Sequence, residues 1–109
     1  MAEGAVVVFT TVGRGGDANR ISNLLVEERL AGCVSVLGGM RSTYRWEGRV
    51  VEEGEVLLLI KTTAARLPEL RERLLAEHPY EVPEVLVLEA REVPEPYARW
   101  LEESVTPSS

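Results

Sequence analysis

Two side chains of this sequence are good ligands for a soft metal ion, and they stand far apart along the chain. Cys33 is the single cysteine and His78 the single histidine among 109 residues. A thiolate favours copper(I), and an imidazole suits copper or zinc. Because one cysteine and one histidine cannot complete a structural zinc site, a metal here would need carboxylates or groups from a second copy of the chain. The pair predicts weak binding of copper or another divalent cation.

Each of these two ligand candidates has a purely structural alternative. Cys33 follows a helical pattern at the start of a strand pattern, where a small buried thiol simply fills space. His78 ends another helical pattern, where the C-terminal end of the helix dipole stabilises an imidazolium. The sequence leaves both alternatives open.

His78 also opens a segment rich in polar groups, residues 78–84, with the sequence HPYEVPE. Pro79 and Pro83 fix the backbone φ angle and supply no N–H donor, and each keeps the residue before it out of the helical region. The preceding helix is therefore predicted to end near His78. The segment becomes a stiff connection that holds an imidazole, a phenol and carboxylates in place, which is typical of a functional loop.

Lys61, Tyr80 and Glu81 are candidates for a different site, one that binds a small anion. Lys61 ends the apolar run 56–60, so its ammonium group is predicted to emerge at the rim of a sheet. Tyr80 and Glu81 could complete a polar pocket with it, or they could be only a hydrogen-bonded pair in a tight turn. Trp46 is a candidate platform for ligand stacking, with packing at an interface as its alternative.

Composition excludes several classes of function. The formal net charge is −6, which argues against nucleic acid as a partner because phosphate contacts need a basic surface. No membrane partner and no signal peptide are expected, since no apolar run has the required length or flanks. No serine has a visible histidine and acid partner, so an enzyme is not expected. These features predict a cytoplasmic protein with a single domain over residues 1–109.

Hydrophobic periodicity predicts strands and helices in the order β-α-β-β-α-β, followed by a short C-terminal helix. The first strand is expected over 5–12, and the first helix starts with Asp17 as its N-cap and stops before Gly32 as its C′ residue. The next predicted feature is a hairpin over 33–62 with its turn at Glu47-Gly48 and bulges at Gly38-Gly39 and Glu53-Gly54. A second helix follows, with Thr62-Thr63 as its cap, Pro68 in its first turn and its end at His78. The last predicted features are a strand from Glu84 to Glu92, a helix starting at Pro94, and a frayed tail over 106–109. This order is the ferredoxin-like α+β arrangement, an antiparallel sheet with helices on one face.

The predicted hairpin is longer than the domain that carries it. Its fourteen-residue arms would span ~46 Å at ~3.3 Å per residue, whereas a domain of this length has a diameter of about 34 Å. Tyr44 and Trp46 lie near the tip and would overhang. Exposed aromatic side chains on such a ribbon form an association surface, so an oligomer is expected.

Four spaced motifs resemble the divalent-cation tolerance family, CutA. They are LAGCV at 30–34, STYRWEG at 42–48, LIKTT at 59–63 and HPYEVPE at 78–84. The likeness extends over nearly the whole chain, and the motifs occur in the family's order. One departure stands next to the cysteine, because Ser35 follows Cys33-Val34 where the family usually has asparagine.

The resemblance implies a homotrimer of ferredoxin-like subunits that looks like the PII signal proteins. It also implies a link to tolerance of copper and other divalent metals, without an established enzymatic reaction. By motif, the candidate site residues near the clefts between subunits are Cys33, Trp46, Lys61, His78, Tyr80 and Glu81. The competing hypothesis is a PII-like sensor that binds a small anionic metabolite between subunits through Lys61, Tyr80 and backbone donors.

Overall fold

The computed structural model describes residues 4–107 and shows seven elements in the predicted order. They are β1 (Ala5–Val12), α1 (Asp17–Glu27), β2 (Cys33–Trp46), β3 (Arg49–Thr63), α2 (Leu67–Glu77), β4 (Leu86–Glu89) and α3 (Glu95–Ser104). The strands form one sheet in the order β2-β3-β1-β4, and every neighbouring pair is antiparallel. The α+β, ferredoxin-like fold class is confirmed. No helix among residues 4–107 is long and apolar enough to cross a membrane.

The hydrophobic core lies between one face of the sheet and helices α1 and α2. The sheet contributes alternate residues of the two central strands, including Val8 and Ile60, which are paired in the β1–β3 register and fully buried. Helix α1 contributes Ile21 and Leu25, and α2 contributes leucines at the spacing of one helical turn. The apolar run 56–60 is central in the sheet, as predicted.

The long hairpin and its turn are confirmed. Glu47 and Gly48 both have positive φ angles, 51° and 77°, which suit the twist of a two-residue hairpin turn. A bulge falls at Gly38-Gly39, where two residues of β2 oppose Val56 alone. Half-exposed Trp46 lies at the tip, and the molecule measures 45 Å along its longest axis against 28 and 23 Å along the others.

The second predicted bulge is wrong. Glu53 and Gly54 pair in unbroken register with Ser42 and Arg41. The glycine has another role, because a Cβ atom at position 54 would collide with the guanidinium group of Arg14. Gly54 makes room for that side chain to lie across the strand.

The predicted N-cap of α1 is off by one residue, and its predicted C-terminal end is off by three. Gly16 is the N-cap, and Asp17 is the first helical residue, where its carboxylate forms a salt bridge of 2.9 Å with Arg20. The helix ends at Glu27, and the chain leaves it through Arg29, whose φ angle is 59°. Gly32 therefore lies beyond the helix, where it serves a packing role with α3 instead.

The fourth strand is shorter than predicted, because it pairs with only four residues of β1, Val6 to Phe9. Beyond Phe9, the carbonyl oxygen of Thr11 is occupied by the His78 imidazole. Strand β4 therefore begins only at Leu86. In the predicted tail, Thr106 donates a hydrogen bond to the Glu102 carbonyl oxygen, and residues 108–109 lie outside the described part of the chain.

Candidate functional site

The structure divides the candidate site residues into two groups. Cys33 and Lys61 are directly paired across β2 and β3. Trp46, Tyr80 and Glu81 line one cavity along the distal part of the hairpin. His78 lies behind that cavity, with its ring 4.9 Å from the ring of Tyr80.

Lys61 lies beside the Cys33 thiol. Its Nζ atom donates a hydrogen bond of 2.5 Å to the Ser35 hydroxyl and lies 3.9 Å from the Cys33 sulfur. Serine at position 35 is thus part of this cluster, which has the polar, positively charged character that suits an anion. The same ammonium group repels a cation that approaches the thiol within one chain.

His78 uses both of its ring nitrogens inside the fold. The backbone N–H of Tyr80 donates to Nδ1 at 3.1 Å, so the proton resides on Nε2. That Nε2–H donates to the Thr11 carbonyl oxygen at 2.9 Å, with the Thr10 hydroxyl oxygen 3.1 Å away. The imidazole thereby ties the 78–84 segment to the end of β1. To bind a metal it would have to give up one of these bonds.

Burial lowers the pKa of His78 below 6.5, and this outweighs the opposing effects of the Thr11 carbonyl, Asp17 and Glu55. The unfolded chain therefore takes up a proton at higher pH than the folded chain does. The contribution of His78 to stability is fully present above its unfolded pKa of about 6.5. It is lost as the pH falls through the lowered pKa of the folded state.

We expect an NMR titration of this single histidine to give an apparent pKa below 6.5, because the folded protein resists charging the ring. The thermal midpoint should fall more between about pH 7 and about pH 5 in the unmodified protein than in His78→Gln, which has no imidazole to protonate. An unshifted NMR midpoint would show that the ring is solvated.

The cavity that holds Trp46, Tyr80 and Glu81 is strongly acidic. Its volume is about 780 Å³. Its charged lining residues are four carboxylates and one guanidinium, contributed by Glu53, Glu55, Glu81, Glu84 and Arg45. We call it the acidic cavity.

Two tyrosines hold two of the four carboxylates of the acidic cavity in position. The Tyr80 hydroxyl donates to Glu55 at 2.8 Å, and the Tyr44 hydroxyl donates to Glu53 at 2.6 Å. Burial and the hydrogen bond to Glu55 raise the pKa of Tyr80 far above its usual range. The hydrogen bond to Glu53 raises the pKa of Tyr44 as well. Both phenols therefore remain proton donors at neutral pH.

Sequence reasoning missed Glu53 and Glu55 as members of the site. Their signal was present in the hairpin, where alternate residues of a strand share a face. Glu53 pairs with Ser42, and Tyr44 and Trp46 continue the same face of β2. Tyr80 then reaches this face from a separate loop.

A second cavity, of about 380 Å³, lies beside α1 and α2, and four of its five charged lining residues form salt bridges with one another. Arg73 forms a salt bridge with Glu28 at 3.0 Å, and Arg66 forms one with Glu69 at 2.5 Å. These pairs join or cap the helices, and Glu72 is the one charged lining residue without a salt bridge to residues 4–107.

The described residues of one chain do not form a preorganised metal site. Among residues 4–107, no three His, Cys, Asp or Glu side chains come close enough to share an ion. Cys33 of β2 pairs with Lys61 of β3, which pairs in turn with Val7 of β1. His78 instead contacts Thr11, near the end of β1. Val7 and Thr11 are four positions apart along β1, or about 13 Å at ~3.3 Å per residue.

Comparison with known proteins gives a consistent result. The family described as CutA1 divalent ion tolerance protein matches residues 6–104. A divalent-cation tolerance protein CutA from Thermus thermophilus is 49% identical over 98 residues, 90% of this chain and 95% of the relative. A chloroplastic CutA protein from Arabidopsis thaliana is 39% identical over 92% of this chain, which spans 55% of that relative.

The fold of a solved relative agrees closely with the one described above. The structure of a divalent cation tolerance protein from Thermus thermophilus has a TM-score of 0.89 and 47% sequence identity, with 94% of this chain and 99% of that chain covered. Sequence and fold point to the same relatives over almost the full length of the chain. The chain therefore belongs to the CutA1 divalent ion tolerance protein family.

Proposed function

We propose that this protein is a cytoplasmic homotrimer that contributes to divalent-cation tolerance by binding copper or another metal ion weakly. The observation that carries the proposal is the acidic cavity, where four carboxylates face one guanidinium. Such a surface concentrates cations near it. The free thiol of Cys33 is compatible with a reducing cytoplasm.

Apolar side chains on the sheet face away from α1 and α2 support a homotrimer. Phe9 pairs with Leu59 on one side and Leu86 on the other, so all three share that face. Leu86 is 55% exposed in the single chain and its neighbour Leu88 is 47% exposed. Half-exposed leucines in a row are typical of an interaction surface.

Metal binding in this proposal combines groups from different subunits. Cys33 supplies a soft sulfur ligand and His78 a nitrogen ligand, and the carboxylates of a neighbouring copy complete the set. The separation of about 13 Å along β1 between their positions prevents chelation of one ion by both side chains of one chain, which supports a shared site. Binding is expected to be weak because His78 must first release an internal hydrogen bond.

We further infer that the protein acts by binding and not by catalysis. Its one histidine uses both ring nitrogens for structural hydrogen bonds. A general base needs a free nitrogen within reach of a substrate proton.

Calorimetry against copper(I) tests the metal proposal. We expect Cys33→Ser to weaken copper(I) binding by about tenfold or more, because the thiolate is the strongest soft ligand of the chain. Lys61→Ala is the matched control, since it removes the ammonium group beside the thiol and leaves every candidate metal ligand in place. Its copper affinity should not decrease.

Equal copper(I) affinity in Cys33→Ser and the unmodified protein would exclude Cys33 from the site. A loss of affinity in Lys61→Ala alone would also contradict the proposal, because a positively charged group cannot bind a cation.

A PII-like sensor is the second candidate function. Lys61 favours it, because this lysine makes no salt bridge with residues 4–107 and donates only to Ser35 and Cys33. Its ammonium group is thus available to an anion. Tyr80 lies in the other group of candidates, so an anion bound by both would have to lie between two subunits. Calorimetry with nucleotides and carboxylic acids distinguishes this function from metal binding.

A further inference from the structure

Cys33 and Lys61 form a thiol–amine pair across two strands of the sheet. They pair directly in the β2–β3 register, and paired residues of adjacent antiparallel strands have Cβ atoms about 4.5–5.5 Å apart. The Nζ atom of Lys61 lies 3.9 Å from the Cys33 sulfur. Because the lysine side chain is long and flexible, a small movement brings its nitrogen into bonding distance of the sulfur.

The hydroxyl group of Ser35 keeps the amine beside the thiol. It accepts a hydrogen bond of 2.5 Å from Lys61 Nζ, and it lies 4.0 Å from the Cys33 sulfur. Within residues 4–107 no carboxylate forms a salt bridge with Lys61, so no described ion pair draws its ammonium group away from the sulfur. The strand register and this hydrogen bond together hold the two reactive groups in one place.

Oxidation is the reaction that such a pair favours. The Cys33 thiol is only half-buried, so a small peroxide can reach it. A thiolate that reacts with peroxide becomes a sulfenate, and a sulfenic acid condenses with a neighbouring thiol or nitrogen. The nitrogen of Lys61 is the neighbour that the fold supplies.

Two alternative partners for the oxidised sulfur are excluded. Cys33 is the single cysteine of the sequence, so no disulfide forms within one chain. Tyr97 of α3 lies near the sulfur, but burial raises the pKa of its phenol, and the charge of a Cys33 thiolate raises it further. A protonated phenol is a weak nucleophile, so the Lys61 amine remains.

We propose that Cys33 and Lys61 are a peroxide-sensitive modification site, in which oxidation joins the sulfur to the nitrogen in a reversible sulfenamide bond. The thiolate first attacks one oxygen of hydrogen peroxide. The O–O bond breaks, the sulfur is oxidised to a sulfenate, and the second oxygen is reduced and leaves as water.

The second step forms the bond between the two side chains. The Lys61 ammonium group gives one proton to the sulfenate oxygen, and the freed lone pair attacks the sulfur. The S–O bond breaks, and the oxygen leaves as water with a second proton from the nitrogen. A small thiol later reduces the S–N bond, becomes a disulfide itself and restores both groups. No metal takes part, so this site does not depend on the proposed metal function.

The test is high-resolution mass spectrometry of the full chain after treatment with hydrogen peroxide in buffer that contains EDTA. We expect a product lighter by about 2 Da, because the two steps together remove two hydrogen atoms. A digest should contain a peptide pair linked between Cys33 and Lys61, and dithiothreitol should restore the original mass. Cys33→Ser should give no linked product.

Lys61→Arg is the matched variant, because it keeps the positive charge beside the sulfur and removes the chain's single lysine amine. Its sulfenate should persist, so labelling by dimedone, which traps sulfenic acids, should increase about tenfold or more. Ser35→Ala is a second variant, at an exposed position. It should slow the linkage about threefold or more, because nothing then holds the amine beside the thiol.

Four results overturn the proposal. They are an unchanged mass at millimolar peroxide, a stable gain in mass in place of the loss, a dimer linked by a disulfide on a non-reducing gel, and equal dimedone labelling in Lys61→Arg and the unmodified protein. EDTA keeps each of these results independent of metal binding.

Discussion

Replacing Leu86 and Leu88 together with lysine is expected to abolish assembly of the protein. Both side chains lie on the sheet face away from α1 and α2, and each is about half exposed in the single chain. Burying such a leucine contributes about 1–1.5 kcal/mol, so the six in a trimer contribute about 6–9 kcal/mol. Lysine on an edge strand is also a strong barrier to association. Sedimentation velocity at micromolar concentration should show monomers.

The matched control is Val26→Lys with Leu75→Lys. These residues are 42% and 49% exposed, so the control removes similar apolar area and adds the same charge. They lie near the ends of α1 and α2, where lysine is well tolerated. The control should remain trimeric, with a thermal midpoint that rises with protein concentration. A stable monomer of the unmodified chain at micromolar concentration would contradict the trimer and any site shared between subunits.

Gly32→Ala is expected to lower the free energy of unfolding by about 1–3 kcal/mol. A Cβ atom at this position would lie 2.6 Å from Leu101 Cδ1 and 3.4 Å from the Cβ atom of Ser104. Leu101 is 1% exposed and cannot rotate freely, so helix α3 must shift. Urea denaturation at fixed protein concentration measures the effect, because oligomer stability depends on concentration.

A double-mutant cycle tests whether this contact is the cause. Leu101→Ala alone should cost about 2–5 kcal/mol through the cavity that it leaves. Combined with Gly32→Ala it should cost less than the sum, because the methyl group then occupies vacated space. Gly38→Ala is the control, since a Cβ atom there meets nothing within 4 Å. Strict additivity in the cycle would show that Leu101 is not the obstacle.

Features with a local cause could be predicted from the sequence. The order of strands and helices follows from runs of apolar residues, and the hairpin turn follows from a glycine after Glu47. Pro79 stops α2 at Glu77 and leaves His78 extended, with ψ at 134°. Each of these effects acts within a few residues, so the neighbours in the chain are sufficient to reveal it.

The roles of two glycines could not be predicted, because their reasons lie elsewhere in the fold. Gly32 looked like the end of α1, and Gly54 looked like a bulge. The structure shows that Gly32 accommodates Leu101 and that Gly54 accommodates Arg14. These partners are distant in the chain, and local propensity contains no information about them.

The candidate site was predictable only in part, because some of its contacts also join residues that are distant in the chain. Residue chemistry and the family motifs selected Trp46, Tyr80 and Glu81, which line the acidic cavity. Lys61, expected beside Tyr80 and Glu81, pairs with Cys33 instead.

The place of Glu55 in the cavity depends on the register of β2 against β3 and on the bulge at Gly38-Gly39. It depends also on a loop twenty-five residues later in the chain, which brings the Tyr80 hydroxyl to the Glu55 carboxylate. Strand register and loop path are long-range properties, so only the tertiary structure decides which side chains share a site.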